Sequence, residues 1–174
     1  MKKLLSILAA TLLALSANAP VFAVDYQLPL SVTPGSLNPA VTQANIQTTI
    51  CKSGFTATIR PPVSYTNKLK KQELAGTYKS FVAIYGSDLG NYELDHLISL
   101  QLGGNPTDVA NLWMEPYTGN NARKKDVVET ALKRLVCSGK ITLAVAQKAI
   151  STNWATAYNT YVTPADVKSS NADG

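Results

Sequence analysis

His96 is the only histidine of this 174-residue sequence, Asp95 precedes it directly, and Glu93 lies two positions before Asp95. A neutral imidazole can accept a proton near pH 7, and carboxylates bind cations, so these groups together could activate water for hydrolysis. Apolar residues flank the cluster on both sides: Leu94, Leu97, Ile98, Leu100 and Leu102. Charged groups in an apolar stretch are costly unless they are paired or bound to a cation. The spacing is equally compatible with a functional site and with a salt-bridged turn in which Asp95 or Glu93 pairs with a lysine.

The segment that carries this cluster is predicted to form a strand or a hairpin. Apolar and polar residues alternate from Tyr92 to Leu102, and Gly103-Gly104 follows as a tight turn. In a strand, positions 93 and 95 share one face and position 96 points to the other. Convergence of Asp95 and His96 on one site therefore needs a bend or a hairpin. Residues 111–114 are predicted as a short second strand, which ends before Pro116 and Gly119.

Helices are predicted on either side of this segment. From Asn121 the apolar residues recur at spacings of three, four, seven and eight, and Gly139 ends the pattern. A second helix is predicted from Thr142 to about Tyr161, with an apolar stripe that favours core packing over base stacking for its aromatic residues. Residues 65–78 favour a helix, whereas residues 50–60 have the composition of a strand, which Pro61-Pro62 would end.

In this order, the motifs resemble the HNH (ββα-metal) endonuclease family. The matching segments are 92–100 (YELDHLISL), 102–104 (LGG), 111–113 (NLW), 121–122 (NA) and 125–126 (KD). The sequence is more closely similar to small exported bacterial HNH-like proteins, through Ile50-Cys51, Arg60-Pro61-Pro62, Leu69-Lys70 and residues 136–139 (VCSG). The resemblance covers roughly residues 47–160. It implies an α+β fold, in which a ββα-metal finger, a short hairpin plus a helix, is embedded in a small, mostly helical domain.

The resemblance also implies roles for single residues. His96 would be the general base that activates water against a phosphodiester, at a gain of about 10²–10⁴-fold. Asp95 and Asn121 would bind a divalent cation, and this oxygen-rich pair favours Mg²⁺ or Mn²⁺ over zinc. Asn111 would hold the hairpin and orient His96 through a hydrogen bond. Many family members carry a histidine in place of Asn121, whose neutral amide is a weaker ligand, so water would complete the shell.

Further residues are candidates for supporting roles. Glu93 is a candidate either for a hydrogen bond to a ligand or for a further ligand, and an exposed strand residue is the alternative. Lys125 and Arg123, at the start of the motif helix, are candidate phosphate contacts, because helix N-termini and cations both attract phosphate. Arg60 is a candidate extension of this basic surface. The alternative for such a charge run is a solvated helix face.

The first residues of the sequence are typical of a signal peptide. Lys2 and Lys3 precede an apolar run over residues 4–15, which is too short for a permanent membrane span, and residues 21–23 (VFA) fit a cleavage site. We therefore expect a signal peptide over 1–23, an extended lead-in over 24–46, an HNH-like nuclease domain over 47–162 and a flexible tail over 163–174. The mature protein would be periplasmic or secreted and would carry no membrane anchor.

Cys51 and Cys137 are the only cysteines. Exported proteins with two cysteines usually pair them, and the chain-entropy model gives such a long loop a stabilisation of about 4–5 kcal/mol. A zinc site is the alternative, but two distant thiols and one histidine are poor ligands by number and spacing. We therefore predict a structural disulfide.

Charge and composition permit several functions. Without Lys2 and Lys3 the formal net charge falls from +5 to +3, which allows a polyanionic partner without requiring one. The resemblance favours a metal-dependent nuclease acting on nucleic acid, DNA more than RNA, and is compatible with an inhibitor protein as a further partner. The rivals are a non-catalytic nucleic-acid-binding protein and an envelope protein with a structural or interaction role. A hydrolase for another substrate lacks support, because no serine or cysteine nucleophile constellation accompanies His96.

Overall fold

The computed structural model describes residues 27–172 of the chain. The predicted signal peptide and the first residues of the lead-in lie outside this range. Within it the fold is α+β, with two strands and six α-helices. The strands are β1 (Tyr92–His96) and β2 (Leu112–Pro116). The helices are α1 (Phe55–Ile59), α2 (Val63–Ala75), α3 (Val82–Tyr85), α4 (Asn121–Cys137), α5 (Leu143–Tyr161) and α6 (Pro164–Ala172). Single 3₁₀ turns cover Gln43–Thr48, Lys79–Phe81, Leu89–Asn91, Leu100–Leu102, Val109–Asn111 and Thr118–Asn120.

The hairpin and the two long helices agree with the sequence predictions. β1 pairs with β2 in an antiparallel register that places Asp95 opposite Trp113 and His96 opposite Leu112. The first strand ends at His96, earlier than the predicted limit at Leu102, because the chain turns there. The helix α4 begins at Asn121 as predicted, and Thr142 caps α5 by accepting a hydrogen bond from the backbone of Val145.

Two apolar clusters form the core. The larger one lies between α4 and α5 and includes the fully buried Leu132, Ile150 and Trp154. The smaller one lies between α2, α3 and the hairpin and includes Tyr92 and Trp113. Trp154 is a core residue as predicted, and Tyr158 packs at the edge of the same cluster. The hairpin therefore has a rigid support on both sides.

The strand predicted for residues 50–60 is wrong. The chain turns after Cys51 and forms the short helix α1, which begins after Gly54 in a left-handed conformation. Strand propensity is realised only where a partner strand is present. No strand pairs with this segment among residues 27–172, and Phe55 instead packs against the α4–α5 cluster.

The segment after Thr163 forms α6 instead of the frayed tail predicted from its polar composition. Asp166, near its start, accepts hydrogen bonds from Arg134 Nε at 2.9 Å and from Arg134 Nη2 at 3.0 Å. The same carboxylate accepts a bond from the backbone amide of Thr163, and the hydroxyl of Thr163 bonds it as well. This buried carboxylate ties the last helix to α4, which composition alone does not indicate.

The predicted disulfide is confirmed. Cys51 and Cys137 are bonded, with their Cα atoms 5.6 Å apart and a sequence separation of 86 residues. The bond joins the turn before α1 to the last residue of α4. A search of the described residues for a helix that is both long and apolar enough to cross a membrane finds none.

Candidate active site

The hairpin and α4 together form the polar centre of the protein. Strand alternation puts Glu93 and Asp95 on one face of β1, and the register adds Trp113 and Glu115 from β2 to that face. On α4, Asn121, Lys125 and Glu129 recur every four residues, so they lie on one side of the helix. This side of α4 faces β1, since Lys125 reaches both Asp95 and the backbone of His96.

Lys125 lies inside this centre, with 1% of its side chain exposed. Its ammonium contacts Asp95 Oδ2 and Glu129 Oε1, each at 2.6 Å, and donates to the backbone oxygen of His96 at 2.9 Å. Burial lowers the pKa of Lys125, but the two carboxylates outweigh it and raise the pKa above its usual value. Its three donors are directed at protein oxygens, so in this conformation Lys125 supports the centre from inside, and its predicted phosphate contact stays a prediction.

The ammonium of Lys125 lies among three mostly buried carboxyl groups, those of Asp95, Glu115 and Glu129. Burial opposes ionisation of Asp95, but the adjacent Lys125 outweighs it and holds the pKa of Asp95 below its ordinary value. Burial and then the charge of Asp95 raise the pKa of Glu115 far above normal, which favours the protonated form of Glu115. Burial also raises the pKa of Glu129, whose second oxygen accepts a 2.6 Å bond from the hydroxyl of Ser99. The centre thus holds more acid groups than cations.

Two oxygen atoms in this region are buried without a hydrogen-bond partner: Oε1 of Glu115 and Oδ1 of Asn121. The amide nitrogen of Asn121 donates to the backbone oxygen of Thr118 at 2.7 Å, so the orientation of the amide is set and its oxygen is left free. Unsatisfied buried acceptors are rare in folded proteins, and each calls for an explanation such as a bound ion or a water.

His96 ends β1 and its ring is held by the loop between the strands. Its Nε2 lies 3.0 Å from the backbone oxygen of Pro106. A carbonyl only accepts, so Nε2 carries the proton and Nδ1 is the unprotonated nitrogen of the neutral ring. Burial, the largest effect, lowers the pKa of His96, although Asp95 opposes the shift. The ring is therefore neutral at pH 7, in the state that a general base requires.

Asn111 does not perform the orienting role predicted for it, since the ring of His96 is held by Pro106. The side chain of Asn111 is fully buried and bonds to the loop backbone. Its Oδ1 accepts from the amide of Ile98 at 2.9 Å, and its Nδ2 donates to the carbonyl oxygens of Ile98 and Asn105. Asn111 thus fixes the loop that supplies Pro106, and its influence on His96 is indirect.

A cleft of about 240 Å³ opens beside His96. Its wall includes Arg60, Glu93 and Lys70, which belong to the motifs and candidates of the sequence analysis, and also Tyr117, which sequence analysis did not single out. Lys70 belongs to α2 and donates to the backbone oxygen of Tyr92. Because α2 packs against the hairpin, this lysine of the Leu69-Lys70 motif reaches the site from a distant part of the sequence.

The remaining predicted residues differ in their exposure. Asp95 keeps 14% of its side chain exposed, whereas Asn121 is buried. Arg123 is exposed in the first turn of α4, where a phosphate could reach it. Glu93 is half-buried, and burial raises its pKa, with the charge of Asp95 adding to the shift. Sequence analysis missed Glu129. Its position four residues after Lys125 on a predicted helix is the one sequence feature that indicates an ion pair between the two.

Within residues 27–172, no three histidine, cysteine or acidic side chains are arranged so that they could hold a metal ion. Comparison of the chain with protein-family models, with curated proteins and with solved structures finds no match.

Proposed function

We propose that this protein is an exported, divalent-metal-dependent nuclease of the HNH type, with DNA favoured over RNA as substrate. The observation that carries the proposal is the state of His96. Its ring is neutral, Nε2 is held by the carbonyl of Pro106, and it lies beside a cleft that contains the cations of Arg60 and Lys70. A fixed base next to a phosphate-attracting surface is what phosphodiester hydrolysis requires.

His96 acts as the general base in this proposal. Its Nδ1 takes a proton of a water molecule while the oxygen of that water attacks phosphorus and the bond between phosphorus and the leaving ester oxygen breaks. The leaving oxygen takes a proton from solvent. The hydrogen bond to Pro106 prevents the ring from turning away. The bond also stabilises the imidazolium that forms, since the Nε2–H group donates more strongly when the ring is charged. The exposed guanidinium of Arg60 and the ammonium of Lys70 neutralise the phosphate and hold it in the cleft.

The residues present fit a hard divalent cation, Mg²⁺ or Mn²⁺, by the chemistry of their oxygens. Asp95 and Asn121 would hold it, and the unpartnered Oδ1 of Asn121 is an amide oxygen of the kind that such ions accept. The ion would polarise the phosphate and stabilise the leaving oxygen. The order β1, β2, α4 supports a ββα finger in which the hairpin supplies Asp95 and the start of α4 supplies Asn121.

Cleavage assays test the proposal. The disulfide-intact protein from residue 24 onward is incubated with plasmid DNA and with a structured RNA, in Mg²⁺, Mn²⁺ or chelator. We expect metal-dependent cutting, a loss of at least about 10²-fold in His96→Gln, and a similar loss in Asn121→Ala. Glutamine is close to histidine in size but supplies no base, so the folded state is retained.

Two substitutions that each remove one positive charge show whether cleavage depends on the cations of the cleft or on the net charge of the protein. Arg60→Gln removes a cation from the cleft, whereas Lys140→Gln removes an exposed cation that does not line it. The proposal requires a larger loss of cleavage from Arg60→Gln than from Lys140→Gln. Absence of cutting by folded protein with every metal would overturn the enzymatic proposal.

A second candidate is a non-catalytic nucleic-acid-binding or envelope protein. The ion pair of Lys125 with Asp95 favours it, because the predicted metal ligand is already satisfied by an ammonium. In that case Mn²⁺ would leave the melting temperature unchanged, since a cation that does not bind the native state cannot stabilise it. Stabilisation by Mn²⁺ that is lost in Asn121→Ala would decide for the metal site.

A further inference from the structure

Tyr117 is an exposed aromatic residue on the wall of the cleft that contains His96. It follows β2 directly and precedes α4, and 48% of its surface is exposed. Its backbone amide donates to the backbone oxygen of Asn91 at 3.0 Å, which fixes the start of the connection. An aromatic ring of this size, left open to solvent beside basic residues, is costly in water and is common in surfaces that bind nucleobases.

Glu93 of β1 lines the same cleft as Tyr117. Burial and then the negative charge of Glu93 raise the pKa of the Tyr117 phenol, so the neutral phenol is the form present at pH 7. The backbone of Tyr117 is anchored by its bond to Asn91, and the ring keeps its exposed surface at the edge of the cleft.

We infer that the ring of Tyr117 is a stacking platform for a nucleobase adjacent to the bound phosphate, and that the substrate is single-stranded nucleic acid. This inference rests on the proposed function, because it takes nucleic acid as the ligand of the cleft. Arg60 and Lys70 bind the backbone, and Tyr117 binds a base by its face. Such stacking tolerates any base, so the protein selects the strand state rather than the sequence.

The dimensions of the cleft favour one unpaired base. Its volume of about 240 Å³ lies below the range of about 300–1,000 Å³ that is typical of enclosing ligand pockets. In a duplex both faces of a base are covered by its neighbours, so a ring can stack on it only after the base is unstacked and unpaired at a cost. Val63, with 71% of its surface exposed on the same cleft, adds apolar surface that a base covers and a phosphate backbone does not.

Binding measured without cleavage tests the inference. Chelator is present throughout, and the probes are a fluorescein-labelled single-stranded oligothymidylate and a labelled duplex hairpin. We expect the protein to bind the single strand more tightly than the duplex. Tyr117→Leu weakens single-strand binding by about 5- to 150-fold, the loss typical of one stacked base, and leaves duplex binding unchanged.

Three further variants make the result specific. Tyr117→Phe keeps the ring and stays within a few-fold of the original affinity, whereas Tyr161→Leu, whose ring lines a groove that shares no residue with the cleft, leaves the affinity unchanged. Stacking releases no counterions, so Tyr117→Leu should leave the salt dependence of binding unchanged. Arg60→Gln removes a phosphate contact, so it should reduce the slope of log binding constant against log salt concentration by about one.

Three results would overturn the inference: equal affinity for both probes, an effect of Tyr117→Phe as large as that of Tyr117→Leu, or no binding of either probe. Plasmid and RNA cleavage is scored separately in metal. If the protein cleaves nucleic acid but fails the stacking test, the inference about Tyr117 is wrong and the proposed nuclease activity stands. If single-strand binding depends on Tyr117 but no cleavage occurs, the inference stands and the proposed nuclease activity is wrong.

Discussion

Replacement of the buried lysine Lys125 by methionine tests the electrostatic centre most directly. Methionine has nearly the same length, so the change removes the charge and the three donors while it preserves the volume. The ammonium now contacts Asp95, Glu129 and the backbone oxygen of His96 at 2.6–2.9 Å. Without it, two carboxylates remain buried with no cation, a situation that costs about 3–5 kcal/mol in comparable proteins.

The penalty should depend on pH in a defined direction. Without Lys125, burial raises the folded-state pKa of both Asp95 and Glu129 above the unfolded values near 4. A raised folded-state pKa means that the folded protein takes up protons first as the pH falls. The Lys125→Met protein should therefore regain part of its lost stability between about pH 7 and pH 5, because protonated carboxyls no longer need a counter-charge.

Urea unfolding at the two pH values measures both effects. Lys133→Met, on the same helix but half-exposed, is the matched control and should change the free energy of unfolding by less than about 0.5 kcal/mol. A loss below about 1 kcal/mol in Lys125→Met, or a loss equal to that of Lys133→Met, would refute the account of Lys125 as the charge that stabilises this centre.

Four other perturbations have outcomes set by the structure. Burial lowers the pKa of His96 below its usual value near 6.5, so cleavage should rise with pH with a midpoint below about pH 6.5 and then reach a plateau; an acid limb centred above pH 7 would contradict this. As the pH falls, the imidazole of His96 is protonated in the unfolded chain before it is protonated in the folded protein. The free energy of unfolding in urea should therefore fall more on acidification in the original protein than in His96→Gln. A Cβ at Gly104 would overlap the carbonyl oxygen of Ile98, so Gly104→Ala should lose about 3 kcal/mol or more; a normal urea midpoint would disprove the close approach. Reduction and alkylation of Cys51 and Cys137 should lower the free energy of unfolding by about 4–5 kcal/mol, and a loss under about 1 kcal/mol would show that the cross-link adds little.

Local patterns account for much of what the sequence predicts correctly. The helices α4 and α5 carry apolar residues at helical spacing, and Gly139 and Thr142 mark where one ends and the other begins. The hairpin follows from alternation and from the glycines after β1. The disulfide follows from the presence of only two cysteines together with the predicted signal peptide. Each of these patterns depends on residues that are close in sequence or few in number.

Packing decided the elements that the sequence misjudged. Phe55 and its neighbours have strand composition, but they form α1 because no strand within residues 27–172 pairs with them. The polar residues after Thr163 form α6 because Arg134 on another helix binds Asp166. Composition describes a segment by itself, whereas these outcomes depend on what lies beside the segment.

The candidate site divides in the same way. The sequence by itself identified Asp95 and His96 as the place where chemistry could occur, because a carboxylate and the only histidine interrupt an apolar strand. It could not distinguish Lys125 from Arg123, since cations of one charge run look alike. Only the packing of α4 against β1 turns Lys125 inward to Asp95 and leaves Arg123 in solvent, because helix positions two residues apart point about 200° apart, toward opposite sides of the helix.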